Sequence, residues 1–311
     1  MRKPTAVALG TFDGLHAGHR QVISEAVTQA ARAGSAAGGP VPTVVSFWPH
    51  PREVLYGETG LRLDLPEEKL VLLDPLGIEQ LVMLPFTAHL AALTPEAFVE
   101  TVLVGELQVR SVAVGENFRF GAKRAGDAES LRRLGLRHGF QVAVVPTLSD
   151  GTGRVSSSRI RQALAEGRLA EAEALLGRPF RFVGRVCAGR GLGRQLGWPT
   201  ANLELCGRKV LPMEGVYASL AWVGEEPIGP PMAAVMNLGR QPTVDPAAPA
   251  SVEVHLLDRE LALLGQPLLV QPIRRLRAQQ RFANLNELSE QISRDAQDAR
   301  HHLKDQGRGV E

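Results

Sequence analysis

The chain has 311 residues, 44% of them hydrophobic and 22% charged, with 35 basic against 33 acidic side chains for a formal net charge of +2. That composition supports a sizeable buried core and, at about 100–200 residues per domain, two domains. It excludes a disordered chain, and so small a net charge excludes a global field able to hold an extended polyanion such as DNA. Any bound anion is expected to be small, with no nucleic-acid partner. Five basic residues are lysines and the rest arginines, so a lone arginine signals little. No run approaches the roughly 18 apolar residues that span a bilayer. The first ten residues enter a short strand-like run broken by Gly10, not a secretory segment, so a cytoplasmic protein without membrane partners is expected. Cys187 and Cys206 are too far apart for a CxxC half-site, and both read as buried small hydrophobes.

From residue 5 to about 176, apolar β-branched runs alternate with helical patterns. Strands are expected at 6–9, 43–47, 80–84, 111–115 and 141–145, each apolar throughout, as in strands covered on both faces. Helices are expected at 19–32, with Val22, Ile23, Ala26, Val27 and Ala30 at helical spacing, and from Thr94-Pro95-Glu96, an N-cap followed by proline. This order predicts an open, mostly parallel, Rossmann-like sheet with ligands at the carboxyl ends of its strands. After Gly177-Arg178-Pro179 the pattern changes. Short runs at 180–187, 215–223, 232–237, 252–257 and 268–270, separated by Gly- and Pro-rich turns, predict a small antiparallel β-barrel or sandwich. Asn284-Leu-Asn-Glu287 reads as a capping box for a terminal helix striped by Leu285, Leu288, Ile292, Ala296, Ala299 and Leu303. Domains are expected at 1–178 and 179–311.

Two constellations carry chemistry. The first, Gly10-Thr-Phe-Asp-Gly-Leu-His-Ala-Gly-His19, is a glycine-punctuated turn opening a helix, where backbone N–H groups and the helix dipole favour phosphate. His16 and His19, protonated or as neutral donors, can hydrogen-bond phosphate oxygens; a zinc half-site would need a third ligand. Arg154-Val-Ser-Ser-Ser-Arg-Ile-Arg161 adds serine hydroxyls at a helix start and bidentate guanidinium donors.

The first constellation resembles the GxFDGxHxGH signature of FAD synthetases, within the HxGH nucleotidylyltransferase superfamily. Ser156-Ser-Ser-Arg-Ile-Arg161 resembles that superfamily's SSxxxR element. Phe47-Trp-Pro-His-Pro51 and Gly115-Glu-Asn-Phe-Arg-Phe-Gly121 resemble the two remaining signatures of the flavin-adenylylating branch. The resemblance implies transfer of AMP from ATP to FMN with release of pyrophosphate. It implies catalytic roles for His16 and His19, and nucleotide or phosphate binding by Gly10, Phe12, Asp13, Gly18, Asn117, Arg154, Ser156, Ser157 and Arg161. His50, Phe118 and Phe120 would lie near the flavin. Many relatives have Asp where Asn117 stands, and a turn-stabilising role for Asp13 is an equal alternative.

The second constellation is Gly191-Leu-Gly-Arg-Gln-Leu-Gly-Trp-Pro-Thr-Ala-Asn202, followed by Asn237-Leu-Gly-Arg-Gln-Pro-Thr243 and Val252-Glu-Val-His-Leu-Leu-Asp258. It resembles the riboflavin kinase module, which implies nucleotide binding by Gly191, Gly193, Pro199, Thr200 and Asn202. The residues agree with it. Thr200 and Asn202, two apart on an extended segment, share a face and offer oxygen ligands for a hard cation such as Mg2+. Glu253 faces away from Val252 and Val254 and is the candidate base. Relatives' R-x-E-x-K-F pattern reads Arg277-Ala-Gln-Gln-Arg-Phe282 here, and Glu260-Leu-Ala-Leu-Leu-Gly265 lacks an aromatic that relatives commonly carry. The expected substrates and products are riboflavin, FMN, FAD, ATP, ADP and pyrophosphate. A chain with a decayed kinase, a non-catalytic flavin or nucleotide sensor, and an RNA-binding relative of the HxGH synthetases are the alternatives.

Overall fold

A computed structural model describes residues 3–34, 39–189, 193, 196–205, 208–239 and 251–305. The chain divides into two compact units, Met1–Arg159 with Leu175–Gly177, and Ile160–Ala174 with Arg178–Glu311.

In the first unit, β1 (Thr5–Leu9), β2 (Val41–Trp48), β3 (Gln80–Pro85), β4 (Val109–Gly115) and, beyond the hairpin of β5 (Arg119–Phe120) and β6 (Gly126–Asp127), β7 (Gln141–Val145) are the strands. The five longer ones pair in parallel in the order β3-β2-β1-β4-β7. Each contains one of the expected apolar runs, and β1, at the centre, is buried at every residue because helices cover both faces. The strand order reverses between β1 and β4, and parallel sheets open a ligand crevice at the carboxyl ends where this happens. Helix α1 (Ala17–Arg32) buries Val22, Ile23, Ala26 and Ala30 against the sheet, while Val27 is only partly covered. It starts two residues earlier than expected because His16 caps it.

Further α-helices of this unit are α2 (Pro51–Tyr56), α3 (Pro66–Leu73), α4 (Ala88–Ala92), α5 (Pro95–Phe98) and α6 (Ala128–His138), while most of α7 (Ser157–Ala165) and α8 (Leu169–Leu176) belongs to the second unit. The expected Thr94 cap is present, its hydroxyl accepting the Ala97 N–H at 3.1 Å. A second hairpin, β8 (Ser149–Asp150) with β9 (Gly153–Arg154), precedes α7.

The second unit is a closed barrel, which resolves the barrel-or-sandwich alternative. Its strands are β10 (Phe182–Cys187), β11 (Ala201–Glu204), β12 (Gly215–Val223), β13 (Met232–Gly239), β14 (Ser251–Leu256) and β15 (Pro267–Arg277), in the order β10-β11-β14-β13-β12-β15. Alternation sends Val252, Val254 and Leu256 inward and leaves Glu253 and His255 partly exposed on the outer face. β12 is buried on both faces: Val216, Ala218, Leu220 and Trp222 pack in one cluster with Ala296, Ala299 and Leu303 of the terminal helix α9 (Leu285–Asp305). Arg277 clamps Asp295 of α9 through Nε and Nη2 contacts of 2.7–3.1 Å. Asn284 caps α9 by accepting the Glu287 N–H at 2.9 Å, and the Glu287 carboxylate reaches back to the Ala283 N–H, one residue beyond a standard capping box.

Two expectations are corrected. Leu285 is 53% exposed, so the stripe of α9 is covered only from its middle onward. Cys187 is exposed, because β10 ends on its outward-facing register position; Cys206 lies outside the described residues. No described helix is long and apolar enough to cross a membrane.

Candidate active sites

The turn after β1 is held from behind by buried polar groups. The Asp13 carboxylate is fully buried and accepts the N–H groups of Leu63 at 2.9 Å and Asp64 at 3.3 Å. Asp64 returns the contact by accepting the Gly14 N–H at 2.8 Å. Lys69 donates to the Phe12 carbonyl, Ser46 to that of Thr11 at 2.8 Å, and Ser157 to that of Asp13 at 2.7 Å. Gly14 has φ +92° and a Cβ there would lie 2.8 Å from Leu63, so the turn closes only on glycine. Arg20 donates to Leu15 O and Leu176 O. Through these contacts the Asp13 carboxylate holds the turn. The Phe12 ring is core, set edge-on to His19 with centroids 5.3 Å apart. Gly10 donates its N–H to Val45 O at 3.1 Å and continues the sheet.

The groups at the mouth of the crevice are His16, His19 and the start of α1. The two imidazoles stack with centroids 3.6 Å apart at 18°. Nδ1 of His16 accepts the His19 N–H at 3.3 Å and therefore carries no proton. Burial, then the charges of Arg154 and Arg20, hold the His16 pKa down at about 4 despite Asp64. At neutral pH the ring is uncharged with its proton on Nε2, so His16 acts as a neutral donor and not as a cation. Ala17 and Gly18 add N–H groups that helix geometry leaves without intrahelical acceptors.

Arg154 ends the β8–β9 hairpin, which Arg159 braces by donating to both Asp150 oxygens at 2.8–2.9 Å and to Thr152. Ser156 Oγ accepts the Arg159 N–H at 3.3 Å, capping α7; Arg161 lies further along that helix. Asn117 follows β4 and donates to Thr147 Oγ at 2.6 Å, beside a cavity of about 630 Å³ lined by Gln21, Glu25 and residues 143–148.

Of the three residues expected near a flavin, His50 caps α2, its Nδ1 accepting the Arg52 N–H at 3.1 Å. Phe118 is partly buried and stacks on Phe120 with centroids 5.5 Å apart. Phe120 is 7% exposed and packs on Phe98, so its ring is part of the core. Ser46, Asp64 and Lys69 are not marked in the sequence, since isolated polar residues carry no periodic signal and only the fold joins them to the turn.

In the barrel, register assembles the second site. Asn202 on β11 lies opposite Glu253 on β14, which lies opposite Asn237 on β13. Directly paired antiparallel residues share a face with Cβ atoms about 4.5–5.5 Å apart, so the three form one polar row across the outer wall. Cys187 on β10 extends it, opposite Asn202. His255 Nδ1 lies 2.7 Å from Pro199 O and its ring meets Trp198 edge-on at 5.3 Å, which fastens the segment leading to Thr200. Gly193 and Gly189 are cradles: a Cβ would lie 2.4 Å from Trp198 O and 3.3 Å from Thr200 Oγ1 in the first, and 1.9 Å from Asn202 Nδ2 in the second. Asn237, visible in the sequence only as part of a motif, joins the row through its register. Gly191 and residues 240–243 lie outside the described residues.

A phosphate-type turn at the switch point of a parallel sheet, carried with a barrel wall bearing a carboxylate between two amides, defines a two-site, nucleotide-using transferase. Known proteins agree with that class. The chain matches the FAD synthetase family over residues 1–159 and the riboflavin kinase family over residues 176–303. A bifunctional riboflavin kinase/FMN adenylyltransferase of Escherichia coli (strain K12) is 40% identical over 296 residues, covering 94% of this chain and 91% of the relative. One from Bacillus subtilis (strain 168) is 33% identical, covering 95% and 91%. A solved Streptococcus pneumoniae structure described as a macrolide-efflux protein is 29% identical with a TM-score of 0.83, covering 96% of this chain and 95% of that one. The chain belongs to the bifunctional riboflavin kinase/FMN adenylyltransferase family.

Proposed function

We propose that the chain makes FAD from riboflavin in two ATP-dependent steps, phosphorylation on the barrel (179–311) and adenylylation at the parallel sheet (1–178). What supports this division is the chemical contrast between the sites. Riboflavin's terminal hydroxyl is a weak nucleophile, and in this reading Glu253 takes its proton as the oxygen bonds to the γ-phosphorus and ADP leaves. General-base assistance of this kind is worth about 10²–10⁴-fold. FMN's phosphate is already an anion. Its oxygen bonds to the α-phosphorus of ATP, the α–β anhydride breaks, and pyrophosphate leaves with no proton to remove from the nucleophile. That step needs alignment and neutralisation of developing charge, which His16 Nε2–H, His19, the α1 amides and Arg154 supply. The carboxylates at the turn, its own Asp13 and the distant Asp64, accept backbone N–H groups instead.

Thr200 Oγ1 and the Asn202 amide oxygen form a hard-oxygen donor set, and the glycine cradles leave room for it, so they fit Mg2+. When bound, the ion screens the phosphates of ATP. The proposed compartment is the cytoplasm.

Incubation with riboflavin and Mg-ATP, followed by chromatography, tests the reading. FMN and then FAD should accumulate; neither product would refute it, and FAD from supplied FMN without any FMN from riboflavin would mean the kinase is inactive.

A further inference from the structure

The β8–β9 hairpin ahead of α7 is an exposed ribbon with two residues in each strand and a glycine on either side of Thr152. A two-stranded ribbon is marginal by itself, and Gly153, at φ +139°, adds backbone freedom that other residues lack. One carboxylate gathers it. Asp150 Oδ1 accepts the Thr152 N–H at 2.8 Å and the Thr152 hydroxyl at 2.7 Å, while Arg159 Nη1 donates to both Asp150 oxygens at 2.8–2.9 Å. Arg159 Nη2 closes the ring by donating to Thr152 Oγ1. Led by the Arg159 bond, these donors hold the Asp150 carboxyl below the ordinary carboxylate range, so the ion pair is intact around neutral pH.

Arg159 is also tied at its backbone, donating its N–H to Ser156 Oγ at 3.3 Å. One residue therefore joins the ribbon to the start of α7, and residues 154–157 run between the two anchors. Within that span Ser157 donates to the Asp13 carbonyl at 2.7 Å, and Val155 gives its N–H to that of Leu148 at 3.0 Å. Arg154 is set by its place in the ribbon, opposite Ser149. It is exposed, and its charge bears on the His16 imidazole at the mouth of the crevice.

We propose that Arg159 and Asp150 are positioning residues for adenylylation: their ion pair stiffens the β8–β9 ribbon and so holds Arg154 against the phosphates of ATP. This rests on the reading of the parallel sheet as the adenylylation site. An arginine on a loose ribbon must be ordered each time ATP arrives, whereas one already held loses little freedom on binding. Asp150→Asn separates positioning from charge. It removes an anion from the neighbourhood of a polyanion and releases a guanidinium, so electrostatics alone would strengthen ATP binding. Loss of the clamp has the opposite sign.

The experiment measures kcat and KM for Mg-ATP in FAD formation from supplied FMN by the full-length chain, with urea unfolding as the control for folding. Arg154→Ala should lower kcat/KM by about 10²–10³-fold, and Asp150→Asn by about tenfold. Thr152→Val, which cuts the second tie without changing charge, should lower it in the same direction by a smaller factor. The double variant Arg154→Ala/Asp150→Asn should match Arg154→Ala within about twofold, because the clamp then has nothing left to position. A kcat/KM for Asp150→Asn at or above the parent's would overturn the proposal. So would a double variant about tenfold slower than Arg154→Ala, since Asp150 would then act by another route. If Arg154→Ala itself matches the parent, the reading of Arg154 as a phosphate ligand falls and the clamp with it; if Arg154→Ala is slow and Asp150→Asn is not, the clamp alone falls.

Discussion

In the parallel sheet, the candidate site is a turn whose own side chains look inward. The Asp13 carboxylate and the Phe12 ring pack into the protein, and the proposed ligand contacts fall to the imidazoles and helix-start amides. In the barrel, the chemistry stands on the wall itself, where alternation and pairing line up Asn202, Glu253 and Asn237. The turn depends on groups recruited from far along the chain: Ser46, Asp64, Lys69 and Ser157. The row depends on register, which a one-residue slip would turn into the apolar interior. A loop site is therefore vulnerable to remote substitutions, whereas a wall site is vulnerable chiefly at its own residues.

The largest break in this comparison should come from Glu253→Gln. It removes the proposed base and should lower FMN formation by about 10²–10⁴-fold while FAD formation from supplied FMN is unchanged in a product assay. His19→Ala should do the converse, lowering FAD formation by about 10²–10³-fold, the usual cost of one oriented donor to developing negative charge, with FMN accumulating.

Asp13→Ala tests the dependence on remote supports. It leaves the Leu63 and Asp64 N–H groups buried without their acceptor, and should destabilise the first unit by about 2–4 kcal/mol in urea unfolding. FMN formation should survive that change.

The smallest effect concerns His16. Its folded-state pKa of about 4 lies below the ordinary 6.5, so between these values the unfolded chain binds a proton that the native chain refuses. Its contribution to stability is intact above pH 6.5 and is lost as pH falls toward 4. Lowering the pH from 7 to 5.5 should cost about 1 kcal/mol through this residue, and His16→Asn should flatten that part of the stability–pH curve.

Much of this architecture is legible in the amino-acid order, and the failures share a physical cause. The five parallel strands are readable because burial on both faces demands uninterrupted apolar runs, and Val252-Glu-Val-His shows its outer face by alternation. β11 is too short and too polar at Asn202 and Glu204 to announce itself as a strand, yet it brings Asn202 to Glu253. His16 as a helix cap was hidden because histidine is not among the usual capping residues. Lys69, 1% exposed, and Asp64, 2% exposed, read locally as surface charge; only long-range closure shows that they are buried against the turn. The burial of Phe120 is hidden in the opposite way, since an aromatic within a polar signature gives no local sign that its ring packs in the core.

The doubly covered strand β12 has a consequence for the order of synthesis. Its outward face, Val216 to Trp222, is sealed by Ala296, Ala299 and Leu303, which a ribosome adds about 80 residues later. At about 5–20 residues per second, that face waits on the order of 4–16 seconds for its cover. Exposed apolar surface of this kind is what makes incompletely folded chains prone to aggregate.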